Sequence, residues 1–467
     1  MATGHMSVVK IKYLKGKIMA NNQSKGLGFM DLMSIAVGQI IGAGVMVMSI
    51  SALGMTGRAV NVAFMIAAVF TVFSTIPTIF VASVAKFPGG AYSQTAVFVN
   101  PIYAGFTQYI GLLGSVSLGM FAIGLVSYLG MLIPAINNNQ MMWSVIFLTV
   151  FFILNYIGTQ WMARVQGFMF YFLVAALIMF TVMGLPKVQW GGYFGNELFG
   201  EAFMPRGISG LLEASAFLTY ATGGATVIMA FSGEAKNPTK DIPLVCVIST
   251  VTVAFLYGLM ATVIGGILPA GEVLAIGNLA PIADLIMPKP LYYFFIIGGA
   301  GFALGTTLNS SIATANPPML RAAQDGWFPG IIAKTNKYGV PVTWLFLRYA
   351  INAAVLLSGF NVDTLGKWTL VIGNVTGIIG VLATGRIGKL FPEQWKKSPY
   401  HVSNGVMWLL LGGATVTLLI QAWMNLQGLT MGVIMLNVVS FVVFWGLATY
   451  MYKTGKVHMN PPYELVD

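Results

Sequence analysis

The sequence predicts an all-α protein that crosses a membrane about twelve times. Three observations lead to this class. Only 8% of the 467 residues are charged, apolar stretches of bilayer length run almost from end to end, and the basic residues are distributed unevenly about those stretches. So few charges cannot cover a water-soluble globule of this size. Most of the surface is therefore expected to face lipid.

The membrane spans follow from the length of helix that a bilayer requires, about 20 apolar residues. With that window the predicted spans are 30–55, 60–85, 96–133, 141–158, 165–186, 207–233, 243–268, 291–317, 341–359, 366–384, 405–425 and 430–452. They divide the chain into a ten-helix core (30–384), an inner loop (385–404) and two final helices (405–452), with tails at 1–29 and 453–467. The opening MATGHM resembles an expression tag. No cleavable signal peptide is expected, because a full-length span follows the basic stretch up to Lys25.

The net charge of +11 is explained by topology, and no nucleic-acid partner is needed. Lys and Arg concentrate on the side that carries both ends of the chain, the exceptions being Arg58, Lys187, Arg206, Lys289 and Lys367 on the other side and Arg348 within a span. The positive-inside rule then places both termini in the cytoplasm of a plasma or inner membrane. The lone Cys246 allows no internal disulfide and is expected to serve packing.

Two spans contain glycine-rich interruptions at matched positions. Span one carries GQIIGAG (Gly38 to Gly44) and span six carries YATGGAT (Tyr220 to Thr226). Glycine inside a helix costs about 1 kcal/mol against alanine, and unsatisfied backbone survives in a membrane where it lines a cavity. Close packing of small residues is the alternative. Each break lies in the first helix of a set of five spans. This pattern favours an inverted-repeat transporter, with helices eleven and twelve outside the repeat.

Four segments carry a resemblance to a known family: QIIGAGV, FPGGAYSQTAVFV (Phe87 to Val99), FSGEAKNPTKDIP (Phe231 to Pro243) and AAQDGWFP (Ala322 to Pro329). In this order and at span boundaries they resemble the amino acid/polyamine/organocation (APC) superfamily, including bacterial amino acid permeases and L-type amino acid transporters. The resemblance implies a LeuT-type five-plus-five inverted repeat with helices 1 and 6 broken. It also implies secondary transport by alternating access, as an ion-coupled symporter or an exchanger, with the GEAKNPTKDIP loop near an inner gate.

The chemistry of a helix break suits a zwitterionic amino acid. A half-helix N-terminus attracts a carboxylate, and carbonyls at the end of the other half attract an ammonium. The carboxylate is predicted to bind at Ala43 and Gly44, with Gly42 providing backbone freedom, and the ammonium at Ile40, Tyr220, Ala221 and Thr222. By resemblance, Tyr220 is expected to be an aromatic gate, and Gly223 and Gly224 match the small pair of L-type transporters.

The breaks contain no acidic residue, which favours a small neutral amino acid over a cationic amine. A polyamine or organic-cation transporter or antiporter of the same fold is the alternative. Glu213, two turns outward from Tyr220, is either functional or simply facing an outer vestibule.

Span eight carries LNSSIATANPPM (Leu308 to Met319), which resembles the matching helix of sodium-coupled LeuT-type symporters. By resemblance, Na⁺ would bind the carbonyls of Gly38, Ile41 and Thr306 with Asn309 and the hydroxyl of Ser310, all oxygen ligands of the kind that hard cations prefer. Proton-coupled members place a lysine on span five, where the alignment puts Leu173. Either Na⁺ fills the site or an uncoupled exchanger leaves it vacant; no other cofactor is expected.

Two other functional classes are disfavoured. A channel would need a continuous polar file or a ring of charges, and none is obvious. An enzyme would need a metal or acid–base constellation. His5, His401 and His458 fall in tails or loops, and no paired carboxylates share a helix. The sequence indicates no protein partner.

Overall fold

The computed structural model describes residues 26–114, 118–195, 198–358, 362–427 and 429–465, with the backbone alone at 43–47, 113–114, 362–372, 424–425 and 427. The helices, in chain order, are α1 (Phe29–Ile40), α2 (Ala43–Thr56), α3 (Val60–Ala82), α4 (Ala91–Phe98), α5 (Pro101–Gly114), α6 (Leu118–Leu132), α7 (Gln140–Tyr156), α8 (Thr159–Gly184), α9 (Gly207–Thr222), α10 (Pro238–Ile267), α11 (Ala270–Ile276), α12 (Ala280–Ile286), α13 (Lys289–Phe294), α14 (Phe302–Thr314), α15 (Asn316–Gln324), α16 (Val342–Leu357), α17 (Val362–Thr384), α18 (Ile387–Leu390), α19 (Pro392–Lys397), α20 (Asn404–Gln427) and α21 (Met431–Lys453). The predicted tag and most of the N-terminal tail lie outside the described residues.

The all-α membrane class is confirmed. In the described part of the chain, eight helical stretches are long and apolar enough to cross a membrane, and four shorter apolar helices accompany them. Extended backbone pairs there only at isolated bridges: Leu27 with Ala235, Lys86 with Glu464 and Thr335 with Pro341. The count of twelve spans stays a prediction.

Two helices begin earlier than predicted. Helix α8 starts at Thr159, directly after Gly158 with φ 101°, so Arg164 lies inside the helix. Helix α10 starts at Pro238, in the segment expected to be a short connection. Proline suits the first turn of a helix, whose N–H groups lack partners in any case. The GEAKNPTKDIP loop is therefore shorter than expected, since Pro238 begins the helix and Pro243 lies inside it.

The core lies where α10 runs beside α3 and packs against α1 and α8, both of which also contact α14. Phe64 of α3 meets Tyr257 of α10 edge-on, with ring centroids 5.3 Å apart, an arrangement that adds to the gain from burial. Cys246 is buried here and free, which agrees with a packing role. By contrast, α21 exposes large apolar side chains such as Val442 and Met435. The last helix therefore lies at the periphery, with its side chains available to lipid.

The loop before α9 is organised by one buried cation, Arg58. Its side chain, with the residue 1% exposed, donates four hydrogen bonds to the carbonyls of Tyr193 (2.9 Å), Leu198 (2.8 Å), Gly195 (2.8 Å) and Glu201 (3.0 Å). The guanidinium thus pairs buried carbonyl groups that the irregular backbone of this loop leaves available. It fixes the loop over the ends of α2 and α3.

The C-terminal segment Lys456–Glu464, which we call the tail strap, lies across the face that also carries Leu27. Lys86 and Glu464 exchange backbone hydrogen bonds of 2.9 and 2.8 Å and form an ion pair of 3.3 Å. Arg321 of α15 donates to the Pro461 carbonyl at 2.6 Å. The strap therefore ties the loop after α3 to the end of α15.

Asp325 is the buried anchor of the strap, with 1% of the residue exposed. Its carboxylate accepts bonds from the Tyr92 hydroxyl (2.7 Å) and from the backbone and side-chain amides of Asn460. Its backbone carbonyl accepts the His458 N–H at 2.8 Å. One carboxylate thus joins α4, α15 and the strap.

Replacing Asp325 with alanine is expected to lower the free energy of unfolding by about 2–4 kcal/mol, because the Tyr92 and Asn460 donors lose a buried charged acceptor. Equilibrium unfolding of the purified protein in detergent measures this loss. Asp284→Ala is the matched control, since its carboxylate pairs with Lys289 on the surface and such pairs contribute about 0–1 kcal/mol. Equal losses in the two variants would contradict the anchoring role.

Candidate functional site

The first helix is discontinuous, as predicted, and the break falls at Ile41–Gly42. Ile41 ends α1 with ψ 77°, and Gly42 precedes α2 with φ −108° and ψ −145°. The Gly42 N–H donates to the Ile40 carbonyl at 2.9 Å, so the turn is tight. No side chain caps α2. The amides of Ala43 and Gly44 therefore open the helix without a side-chain acceptor, and such an N-terminus suits an anion.

The second discontinuity is also confirmed, at Gly223–Gly224. Helix α9 ends at Thr222, Gly224 has φ 124°, and the chain continues as the 3₁₀ segment Ala225–Phe231. A positive φ of this kind is accessible to glycine and strained for other residues. The glycine pair thus turns the chain between two helical segments. It leaves the last carbonyls of α9 beyond the reach of a regular helical bond.

The two breaks meet in space. A Cβ at Gly224 would lie 3.2 Å from Gln39 Cγ and 3.4 Å from the Gln39 carbonyl carbon. Gln39 in turn accepts the Ser310 hydroxyl (2.6 Å) and the Ser311 hydroxyl (3.2 Å) from α14. Gln39 therefore joins both breaks to α14, a role that the sequence analysis did not predict. The signal available was its position inside the glycine-rich run, directly after Gly38.

The end of α9 is anchored through Thr222. Its hydroxyl lies 2.6 Å from the Thr71 hydroxyl of α3, and both residues are buried. Ala221 is buried as well, whereas 45% of Tyr220 is exposed. Tyr220 thus projects away from the packed core, and its role as a gate stays a prediction. The side chain of Thr222 holds the break, so only its backbone remains to serve a ligand.

Three of the groups predicted to hold Na⁺, those of Gly38, Thr306 and Asn309, already accept hydrogen bonds from protein donors, Asn309 Oδ1 from Asn155 Nδ2 at 3.0 Å. The Gly38 carbonyl accepts the Thr307 hydroxyl at 2.9 Å, and the Thr306 carbonyl accepts Gln166 Nε2 at 3.3 Å. Ser310 directs its hydroxyl proton to Gln39. Hard cations require several free oxygen ligands around one point. The residues, as arranged here, therefore do not fit a bound Na⁺.

Gln166 was missed, because the alignment on span five pointed to Leu173. The structure buries Leu173 among apolar side chains and directs Gln166 of α8 toward α1 and α14. A Cβ at Gly38 would collide with Gln166 Nε2. The sequence feature that points to Gln166 is its position as a single amide in an otherwise apolar stretch of the helix, two turns before Leu173.

Two charged side chains near the site have structural partners. Glu213 pairs with Arg206 at 2.6 Å, and both side chains are about half exposed, which agrees with the interpretation as an outward-facing surface. Arg348 is buried in α16, donates to the carbonyls of Ser311 and Ile312, and lies over the Trp344 ring at 5.5 Å. It is a cation inside a span, and ring and carbonyl contacts are the usual way to stabilise one.

A cavity of about 240 Å³ opens on the face of the tail strap. Glu234, Arg321, Asn316 and Asn155 are among its lining residues. Burial raises the pKa of the Glu234 carboxyl above its usual value, and a hydrogen bond from Thr159 partly opposes the rise. The cavity therefore presents a buried carboxyl group that belongs to the segment that the resemblance associates with an inner gate.

An all-α membrane fold with two meeting helix breaks defines the class of helical-bundle transporters. A sequence model of the amino acid permease family matches residues 27–447. The chain belongs to that family. It is therefore a multi-pass membrane transporter and not an enzyme.

Two curated relatives can be compared along most of the chain. A branched-chain amino acid permease, BcaP, of Bacillus subtilis is 23% identical over 77% of this chain and 81% of the relative. A vacuolar cationic amino acid transporter 4 of Arabidopsis thaliana is 26% identical over 74% of this chain and 62% of the relative. The chain thus spans less than two thirds of the second protein's length.

Proposed function

We propose that this protein moves small neutral amino acids across the membrane by alternating access, as a symporter or an exchanger, with the substrate held between the two breaks. The observation that carries this proposal is the contact between Gly224 and Gln39. It brings the uncapped start of α2 and the carbonyl end of α9 to one place. A zwitterion needs this pair of opposite backbone dipoles.

In the proposed complex, the substrate carboxylate accepts N–H groups of Gly42, Ala43 and Gly44. Because Gly42 N–H already bonds to Ile40, Ala43 and Gly44 are the better donors. The ammonium donates to the carbonyls of Ile40, Tyr220, Ala221 and Thr222. Gly223 and Gly224 leave room for the side chain, and closure of Tyr220 over the ligand would complete the site.

The charge distribution supports a neutral side chain. The sequence has no Asp or Glu between Asp31 and Glu197, so the only carboxylate in the first five predicted spans is Asp31, in the first turn of α1 and more than two turns before the break. Buried charge without a partner is strongly unfavourable. The name of the bacterial relative points to branched-chain substrates, and that of the plant relative points to cationic ones. The absence of Asp and Glu between Asp31 and Glu197 favours the branched-chain substrates.

Uptake into liposomes that contain the purified full-length protein tests this proposal. Vesicles preloaded with unlabelled leucine should accumulate labelled leucine, and external valine or alanine should compete. External lysine and spermidine should not. Uptake of lysine or spermidine without that of neutral amino acids would reject the substrate class. Absence of any uptake by folded, monodisperse protein, compared with empty liposomes, would reject the function.

A further inference from the structure

A chain of three buried amide side chains crosses from α7 to α1. Asn155 Nδ2 donates to Asn309 Oδ1 at 3.0 Å, and Asn309 Nδ2 donates to Gln166 Oε1 at 2.8 Å. Gln166 Nε2 then donates to the Ser34 and Thr306 carbonyls, both at 3.3 Å. All three amide residues are almost inaccessible. Each amide orients the next, so the direction of the terminal N–H groups is fixed.

The last amide lies where α1 and α14 approach each other just before the first break. Gly38 is the residue that makes room for it, since a Cβ there would collide with Gln166 Nε2 and lie 2.8 Å from Thr306 Cβ. The N–H groups therefore occupy the gap that the carbonyls of Ser34 and Thr306 face. A metal ion could enter this gap only by displacing them.

The hydrogen-bond partners of the chain are neutral. Gln166 bonds to Ser34, Thr306 and Asn309, and Asn309 bonds also to Asn155 and to the Met162 carbonyl. A neutral amide satisfies these buried carbonyls without the desolvation that a cation would suffer. The link between α1 and α14 is thus complete without an ion.

We propose that Gln166 is a positioning residue that links the first broken helix to α14 in place of a coupling cation, and that transport consequently does not require Na⁺. This inference rests on the proposed function, because it assigns the coupling of the same site. It restricts the proposed transport mechanism to a symporter or an exchanger that Na⁺ does not drive.

The first test compares uptake of labelled leucine by the wild-type protein in NaCl and in KCl of equal ionic strength. The two rates should agree within about twofold, whereas a coupled symporter would lose roughly tenfold or more without its ion. A Na⁺ requirement for uptake would overturn the inference and leave the proposed function standing. If no amino acid is transported in either salt, the proposed function fails, and the second test still applies.

The second test needs no substrate. In Gln166→Glu the two N–H donors become carboxylate oxygens, so the Ser34 and Thr306 carbonyls face an anion and a small cation becomes favourable. The thermal unfolding temperature of this variant should be higher in NaCl than in KCl, and that of the wild type should be equal in both. Gln166→Met, similar in length but apolar, should show no difference between the salts and should lower the uptake rate about tenfold, because the Gln166 bonds that link α1 to α14 are lost.

Gln140→Glu is the matched control. Gln140 is a half-buried amide at the start of α7 that bonds to Ser127, away from the chain of amides. The same chemical change there should produce no Na⁺-specific stabilisation. A Na⁺ effect in both Glu variants, or in neither, would show that the Gln166 amide does not occupy a cation position.

Discussion

Replacing Gly224 with valine is expected to abolish amino acid uptake. The backbone φ of 124° is strained for a residue with a Cβ, at about 1–3 kcal/mol, and a β-branched side chain would press on Gln39, 3.2 Å from the new Cβ. Gln39 would then be pushed from the Ser310 and Ser311 hydroxyls. The contact between the breaks would be lost while most of the helical packing remained. Liposome uptake of labelled leucine, normalised to reconstituted protein, measures the effect.

Gly223→Ala is the matched control for this prediction. Gly223 has φ −81° and ψ 164°, which any residue adopts, and the nearest atom to a new Cβ is the Thr219 carbonyl oxygen at 3.1 Å. Because Gly223 is also proposed to leave room for the substrate side chain, uptake should fall, but less than in Gly224→Val. Equal loss in Gly223→Ala and Gly224→Val would mean that the pair serves only as a general spacer. Full activity of Gly224→Val would place the substrate elsewhere.

Replacing Arg58 with methionine is expected to lower the free energy of unfolding by at least about 3 kcal/mol, because each buried carbonyl left without its donor costs ~1–3 kcal/mol. Four carbonyls lose a donor in this variant. Arg58→Lys should recover only a small part, since a single ammonium cannot reproduce the planar fork of a guanidinium. Equilibrium unfolding in detergent gives the free energies of all three proteins.

The control for Arg58 is Arg206→Met, which removes an arginine from the same side of the molecule. Arg206 pairs with Glu213 in an exposed ion pair, whose expected contribution is about 0–1 kcal/mol. A small loss at Arg206 and a large loss at Arg58 would assign the effect to the buried carbonyls. Comparable losses would indicate a general response to removing positive charge.

The breaks could be predicted from the sequence because their cause is local. Runs such as Gly42 to Gly44 and the pair Gly223–Gly224 lower helix propensity where a lipid-facing helix cannot tolerate a gap. The membrane class followed from composition for a similar reason, since lipid exposure constrains every residue of a span. The start of α10 could not be predicted in this way, because Pro238 fits a loop and a first helical turn equally well.

The partners inside the site could not be predicted, because they depend on helices distant in sequence. Leu173 and Gln166 lie two turns apart on the same face of α8, so the level at which that helix crosses α1 decides which of them meets it. Gln39 gave no stronger signal than any other amide near a glycine. The assignment of Arg58 to the side opposite the termini stays a prediction. The four carbonyl partners of Arg58, however, lie more than a hundred residues away, in a loop without a recognisable pattern.

The tail strap has a practical consequence for labelled forms of the protein. Because Glu464 is paired with Lys86 in both backbone and side chain, a reporter domain joined directly after it would pull on the loop between α3 and α4. A flexible linker between the strap and the reporter avoids this. The same fixed position makes the strap suitable for a fluorophore, since His458 donates its N–H to the Asp325 carbonyl and a dye near it would lie beside the end of α15.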